Sequence, residues 1–161
     1  MLNAGDVAPE FILPDENGDE VSLSEMLQAG PLFLYFYPAD FTPGCTKEAC
    51  SIRDIHADIS AVGLQVIGVS PQDGESHSRF KQEHRLPFRL LSDEDKVAIK
   101  MYDVDGPFGV GVRRVTYLIS QGQKIQDAIQ ADVLVNRHKD FIEKAVALRE
   151  AAGLGGSSEV E

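Results

Sequence analysis

The chain has two cysteines, Cys45 and Cys50, at the point where an apolar run gives way to an amphipathic segment. The run Pro31–Tyr37 predicts a buried strand, and the periodicity of Thr46–Val62 predicts a helix. At a helix N-terminus, free N–H groups and the positive end of the dipole favour a thiolate. The sequence therefore predicts a reactive sulfur at Cys45, with a second sulfur near enough to trap its oxidised form.

The spacing of the two cysteines determines whether they can form a disulfide within a helix. On an intact helix, residues i and i+5 are separated by a rise of about 7.5 Å and a rotation of about 140°. Their Cα atoms would lie about 8.6 Å apart, whereas a disulfide tolerates at most about 7 Å. A bond between Cys45 and Cys50 therefore requires the first turns of the helix to unwind.

The two cysteines could also have structural, dithiol-exchange or zinc-binding roles. Cys45 alone could be a buried structural residue, because free cysteine is among the most buried residue types, and Cys50 alone would be a core residue. The absence of a Cys-x-x-Cys motif argues against dithiol exchange of the thioredoxin type. Zinc would need two further ligands, and neither His56 nor His84 has metal-ligand spacing, so no metal site is expected.

The residues around Cys45 suit a site that holds a small polar substrate. Gly44 lets the backbone approach a ligand closely, and Pro43 stiffens the entry to the helix. Thr42 offers a hydroxyl that donates and accepts hydrogen bonds. Pro38 is placed to shield the sulfur from water. The first-turn N–H groups would point at the sulfur and at an anionic substrate.

A cation is expected from the second half of the chain. Arg113 and Arg114 stand before the predicted strand Val115–Ile119, after a Gly-rich loop. An arginine beside a thiolate stabilises its negative charge and can hold an oxygen-rich substrate with several donors. The alternative is a solvated pair at the edge of a sheet. Alternation along a strand means that only one of the two faces the site.

Composition limits the possible partners. The chain has 161 residues, 43% of them hydrophobic, and a formal net charge of −11. This charge argues against nucleic acid as a partner, because phosphate contacts need clustered Lys and Arg, and it disfavours anionic membranes. No apolar run approaches the length of a membrane span, and Met1–Asp6 lacks the features of a signal peptide. We expect a cytoplasmic protein, and in that reducing location a cysteine pair is more often catalytic, redox-sensing or metal-binding than structural.

The order of elements predicts an α/β fold. Phe11–Leu13 and Val21–Leu23 flank a turn and predict an N-terminal β-hairpin. Strands then alternate with helices before a hairpin and a long terminal helix, which favours a thioredoxin-like mixed sheet flanked by helices. The further predicted strands are Leu64–Ser70, Phe88–Leu91, Val115–Ile119 and Lys124–Ile129, and the further helices Ser76–His84, Asp95–Tyr102 and Val135–Ala152. Residues 1–152 are expected to form one domain and residues 153–161 a disordered tail.

With these residues assembled, the chain resembles a peroxiredoxin. Pro38–Cys45 follows the Pro-x-x-x-Thr-x-x-Cys pattern of that family. The continuation Thr46–Cys50 is similar to the peroxiredoxin Q branch, also called bacterioferritin comigratory protein, in which a resolving cysteine lies five residues after the peroxidatic one. Arg114–Ile119 resembles the strand that carries the family's active-site arginine, which favours Arg114 over Arg113.

The resemblance implies an enzyme, a thioredoxin-dependent peroxidase with two cysteines in one chain. The Cys45 thiolate would attack hydrogen peroxide or an organic hydroperoxide and become a sulfenic acid. Cys50 would condense with it to form an intramolecular disulfide, and thioredoxin or a similar dithiol would reduce that bond. The cycle needs no metal or organic cofactor. A monomer is expected because the resolving thiol lies in the same chain, and a dimer stays open.

The resemblance also assigns roles around the sulfur. Thr42 and Arg114, with the backbone N–H groups of Gly44 and Cys45, would bind the peroxide and stabilise the charge that develops on its oxygens. Pro38 would shield the thiolate. Glu48 either assists proton movement or caps the first turn of the helix.

Two other functions remain open at this point. One is a peroxide-sensing redox relay that passes its disulfide to a partner protein. The other is a non-catalytic binding module with a thioredoxin fold, which the set Pro38, Thr42, Cys45 and Arg114 makes a poor interpretation.

Overall fold

The computed structural model of the protein describes residues 1–153. The predicted tail 153–161, apart from Gly153, lies outside the described residues. The strands are β1 (Ile12–Pro14), β2 (Glu20–Ser22), β3 (Leu32–Phe36), β4 (Gln65–Ser70), β5 (Arg89–Ser92), β6 (Val115–Ile119) and β7 (Ile125–Gln130). The helices are α1 (Leu23–Leu27), α2 (Pro43–Asp54), α3 (His56–Ala61), α4 (Gly74–His84), α5 (Val97–Met101) and α6 (Asn136–Ala151), with a short 3-10 turn at Pro107–Gly109.

A five-stranded mixed sheet forms the centre of the molecule, in the order β5-β4-β3-β6-β7. Strand β3 pairs in parallel with β4 and antiparallel with β6, and all its residues are buried. A separate antiparallel pair, β1 and β2, forms the N-terminal hairpin. The predicted thioredoxin-like α/β fold, with its mixed sheet and its N-terminal hairpin, is therefore confirmed.

Alternation along β3 divides the core between the two faces of the sheet. Leu34 and Phe36 pack in a cluster with residues of the N-terminal hairpin, α1 and α5. Phe33 and Tyr35 pack in a second cluster with residues of α2, α3, α4 and α6. Helices thus cover both faces, and α2, which carries both cysteines, lies on the second face.

Helix α2 differs from the prediction at both ends. It begins at Pro43, because proline is favoured at the first helical position, where its missing N–H costs nothing. The prediction of one continuous helix to Val62 was wrong, since Ile55 (φ −110°, ψ 9°) interrupts it between α2 and α3. The apolar periodicity continues across this single residue, so the pattern alone does not locate the break. The early start places Cys45 in the first helical turn.

The register between β3 and β6 explains how distant parts of the chain meet. Phe36, the last residue of β3, pairs with Val115, the first residue of the antiparallel β6. Residues that follow Phe36 and residues that precede Val115 therefore leave the sheet at the same edge. This places Arg114 beside the loop that leads to Cys45. In residues 1–153, no helix is both long and apolar enough to cross a membrane.

Candidate active site

Cys45 lies in the first turn of α2 and is almost fully buried, with 1% of its surface exposed. Thr42 is the N-cap residue of this helix. The first N–H groups of a helix have no partner inside the helix, so those of Gly44 and Cys45 are available to a ligand near the sulfur. Cys50, half-buried, lies in the same unbroken helix, and neither cysteine is bonded to another.

Arg114 supplies the cation at the sulfur. Its Nη1 donates to the Cys45 Sγ at 2.9 Å and also lies 3.3 Å from Oε1 of Glu48. The Arg114 side chain is only 10% exposed, so its charge is poorly screened by water. Arg113 instead donates from Nε to the carbonyl of Asp105 at 3.2 Å. Of the two arginines, the structure therefore brings Arg114 to the sulfur.

Asp132 fixes the position of Arg114. Its carboxylate accepts the backbone N–H of Arg114 at 2.8 Å, and its carbonyl accepts Nε at 3.1 Å. Gly44 provides the space for the guanidinium, because a Cβ atom at this position would lie 2.7 Å from Nη2 of Arg114. A side chain at position 44 would therefore displace the guanidinium from its place beside Cys45, a reason for glycine that the sequence pattern did not reveal.

Thr42 and Pro38 lie on the loop ahead of the helix. The Thr42 hydroxyl donates to the carbonyl of Ala39 at 3.0 Å, which leaves its oxygen as an acceptor for a donor in the pocket. Pro38 is half-buried, and its carbonyl accepts from Nε2 of Gln72 at 3.2 Å. Both residues precede the first turn of α2 in the chain.

A buried polar cluster of Glu48, His138 and Thr116 lies beside Arg114. Glu48 is 0% exposed, and its Oε2 has no hydrogen-bond partner among the described residues. The same oxygen lies 3.5 Å from Nδ1 of His138. His138 bonds through Nδ1 to the Thr116 hydroxyl at 2.8 Å and through Nε2 to the carbonyl of Ala131 at 2.9 Å. Because a carbonyl only accepts, Nε2 carries the proton, and Nδ1 accepts from Thr116.

The protonation states of Glu48 and His138 determine which group the positive charge of Arg114 stabilises. Burial raises the pKa of Glu48 to about 8, although the Coulombic attraction and the hydrogen bond of Arg114 lower it. Burial also lowers the pKa of His138, so this imidazole is neutral at pH 7. With Glu48 protonated and His138 neutral, the positive charge of Arg114 is left to stabilise a thiolate at Cys45.

Sequence reasoning missed Asp132, His138 and Thr116. A signal for His138 existed, because it lies four and eight residues before Ile142 and Val146 on the buried stripe of α6. Asp132 and Thr116 carry no comparable pattern, since their importance comes only from sheet pairing. Within residues 1–153, no three His, Cys, Asp or Glu side chains are grouped as a metal site would require.

Comparisons with known proteins agree with this geometry. Residues 4–128 match the model of the AhpC/TSA family. The chain is 40% identical over 143 residues to a putative peroxiredoxin Bcp of Coxiella burnetii, a match that covers 85% of this chain and 93% of that protein.

Solved structures give the same result. The crystal structure of peroxidoxin BcpB from Mycobacterium tuberculosis is similar with a TM-score of 0.84 and 34% identity, over 94% of this chain and 98% of that one. A structure of the bacterioferritin comigratory protein of Xanthomonas campestris, described for its alkyl peroxide reduction activity, has a TM-score of 0.76 and 28% identity, over 88% and 91% of the two chains.

The fold and the buried cysteine beside an arginine define a thiol-dependent oxidoreductase. The chain belongs to the AhpC/TSA family, and its relatives at about 40% identity are peroxiredoxins of the Bcp and Q type. It is accordingly a thiol peroxidase, with a peroxide as its substrate and a thiol as its reductant.

The buried Glu48 predicts a specific pH dependence of stability. Its raised pKa means that the folded protein holds a proton that the unfolded chain releases above about pH 4.5. Stability should therefore fall as pH rises from 5 towards 8, by roughly 3–5 kcal/mol in total. Glu48→Gln, which is neutral at every pH, removes this loss. Urea denaturation at pH 5, 7 and 9 measures the difference between the two proteins.

Glu143→Gln, the same change at an exposed position of α6, is the matched control and should follow the wild type. Equal losses of stability in the wild type and in Glu48→Gln between pH 5 and pH 9 would contradict a protonated, buried Glu48.

Proposed function

We propose that Cys45 is the peroxidatic cysteine of this peroxidase and that Cys50 is its resolving cysteine. The observation that carries the proposal is the contact of 2.9 Å between Nη1 of Arg114 and Sγ of the buried Cys45 at a helix N-terminus. A thiolate is the reactive form of cysteine, and the guanidinium and the helix N-terminus both favour negative charge on the sulfur. Cys50 lies further along the helix, and no side chain within residues 1–153 donates a hydrogen bond to its sulfur.

In the first step, the Cys45 thiolate attacks the terminal oxygen of the hydroperoxide. A sulfur–oxygen bond forms and the oxygen–oxygen bond breaks, so the sulfur is oxidised to a sulfenic acid and the peroxide is reduced. The leaving oxygen takes up the proton that the thiol gave up and departs as water or an alcohol. Arg114 shifts its hydrogen bonding from the sulfur to the oxygens as charge develops on them.

Thr42, Gly44 and Pro38 complete the proposed peroxide site. The Thr42 oxygen is free to accept the peroxide O–H, because its own proton is engaged by Ala39. The N–H groups of Gly44 and Cys45 donate to the oxygen under attack. Pro38 limits the access of water, which strengthens every charged interaction inside the pocket.

In the second step, Cys50 attacks the sulfenic sulfur, water leaves and an intramolecular disulfide forms. The helical separation of about 8.6 Å between the Cα atoms forbids this bond while α2 is intact. Opening of the first turns of α2 is therefore a step of the proposed cycle. The helix is restored when an external dithiol reduces the disulfide by exchange.

We infer that thioredoxin or a similar dithiol is the reductant, and that the protein works as a monomer, because both cysteines of the cycle lie in one helix. A reducing, cytoplasmic location and a single domain over residues 1–152 are part of the proposal. Both hydrogen peroxide and organic hydroperoxides are proposed substrates, supported by the alkyl peroxide activity of the Xanthomonas campestris relative.

One equivalent of hydrogen peroxide, followed by mass spectrometry, tests the roles of the two cysteines. We expect a Cys45–Cys50 disulfide in the wild type and a sulfenic acid at Cys45 in Cys50→Ser, trapped with dimedone. Cys45→Ser should keep a reduced Cys50, because the second thiol lacks the charged pocket.

Reduced thiols in the treated wild type, or a sulfenic acid at Cys50 in place of Cys45, would overturn the assignment. A redox relay would instead give a stable mixed disulfide with one partner protein and slow turnover with thioredoxin.

The two neighbouring arginines offer a matched pair of variants. Arg114→Met removes the donor at the sulfur and should slow the reaction with hydrogen peroxide by about 100-fold or more, the usual cost of losing one such donor. Arg113→Met, whose side chain bonds to Asp105, should stay within about threefold of the wild type. Competition with a peroxidase of known rate measures both. Equal effects of the two changes would show that Arg114 has no special part in the reaction.

A further inference from the structure

A second buried polar cluster adjoins the loop ahead of Cys45. It consists of Tyr37, Asp40, Ser76 and His77, and we call it the Asp40 cluster. The Asp40 carboxylate accepts from the Tyr37 hydroxyl at 2.6 Å and from the Ser76 hydroxyl at 2.8 Å, and it lies 2.6 Å from Nδ1 of His77. The side chains of Asp40 and His77 are 1% and 0% exposed. A carboxylate buried to this degree is costly unless it is fully bonded, as it is here.

His77 joins Asp40 to the rest of the fold through both of its ring nitrogens. Its Nε2 donates to the carbonyl of Leu91 at 3.0 Å, because a carbonyl can only accept, and its Nδ1 is hydrogen-bonded to the Asp40 carboxyl group at 2.6 Å. This buried contact ties the loop that carries Asp40 to α4.

The cluster holds the loop between β3 and α2. Asp40 is three residues before Pro43, the first residue of α2, while Ser76 and His77 belong to α4. The backbone of this loop is fixed as well, because Gln72 accepts the N–H of Asp40 at 3.0 Å and donates to the carbonyl of Pro38 at 3.2 Å. The loop is thus anchored to α4 and to Gln72, in addition to its internal hydrogen bond from Thr42 to Ala39.

The residue after Asp40 has a strained backbone. Phe41 adopts a left-handed backbone conformation (φ 65°), which non-glycine residues rarely adopt. Such a conformation persists only where the surroundings determine it. Phe41 packs edge-on against Phe80 of α4 at 5.1 Å, so α4 holds the chain both at Asp40 and at this strained residue itself.

We propose that Asp40 and His77 are positioning residues that set the balance between the intact and the opened form of α2. This inference rests on the proposed function, in which Cys45 reacts in the intact helix and meets Cys50 only after opening. If these contacts of Asp40 stay in place, opening is confined to the few residues after Asp40. If they break, opening loses the buried hydrogen bonds of Asp40. Both routes keep the opened form scarce.

The two steps of the cycle should respond differently when the anchor is weakened. The intact form dominates, so its population, and with it the rate of attack on peroxide, barely changes when opening becomes easier. The rate of disulfide formation is proportional to the scarce opened form and rises with it. The sulfenic acid then survives for a shorter time, so a higher peroxide concentration is needed to oxidise Cys45 further to the sulfinic acid.

Rapid-quench mass spectrometry with hydrogen peroxide tests the proposal by following the sulfenic acid and the disulfide over time. We expect His77→Gln to accelerate disulfide formation about tenfold and to leave the rate of sulfenic acid formation within about twofold. Ser76→Ala removes one hydrogen bond to Asp40 and serves if the first variant does not fold, with an expected acceleration of about threefold. Ser78→Ala, the same change outside the cluster, is the control and should match the wild type.

Unchanged disulfide formation in a folded variant, or a loss of rate in both steps as general destabilisation would give, overturns the proposal. If the wild type itself forms neither sulfenic acid nor disulfide, the proposed function fails and the inference fails with it. If the wild type completes both steps and the variants follow it, only the role of the Asp40 cluster is refuted.

Discussion

The contact between the Arg114 guanidinium and the Cys45 sulfur is the interaction on which the site depends. It joins residues 69 positions apart, and it exists because β3 and β6 are paired in a register that brings Phe36 opposite Val115. A slip of one residue in that pairing would turn the side chain of Arg114 to the other face of the sheet. The central sheet therefore does more than provide a core, since its register determines whether the cation reaches the thiolate. Asp132, at the end of the neighbouring strand, then fixes the arginine in place.

The buried position of this contact makes the balance of charge around it important. Arg114 touches both Cys45 and Glu48, and two anions would compete for one cation. Burial resolves the competition, because it raises the pKa of Glu48 to about 8 and so keeps this carboxyl protonated at neutral pH. The proton on Glu48 leaves the guanidinium for the sulfur, where the chemistry takes place. His138, neutral and bonded to Thr116, adds no competing charge.

Much of this arrangement was predictable from the sequence, and the part that was not has a common cause. The type of each element and the placement of Cys45 at a helix start followed from local patterns, such as the apolar run before it and the amphipathic periodicity after it. Asp132 and His77 escaped prediction because their partners, Arg114 and Asp40, are distant in the sequence and adjacent only after the sheet and α4 are assembled. The interruption at Ile55 escaped because one non-helical residue does not disturb the apolar periodicity. Local structure could thus be predicted from the sequence, whereas contacts between residues distant in the sequence could not.

The central claim is that α2 has to be intact for Cys45 to meet the peroxide and open for it to meet Cys50. Hydrogen–deuterium exchange, measured before and after one equivalent of hydrogen peroxide, tests it directly. In the reduced protein, helical hydrogen bonds such as that from the Thr46 N–H to the Thr42 carbonyl should protect the amides of residues 46–50. On formation of the disulfide, these amides should lose protection while β3 and β6 keep theirs. A Cys45–Cys50 disulfide with unchanged protection in this segment would contradict the account.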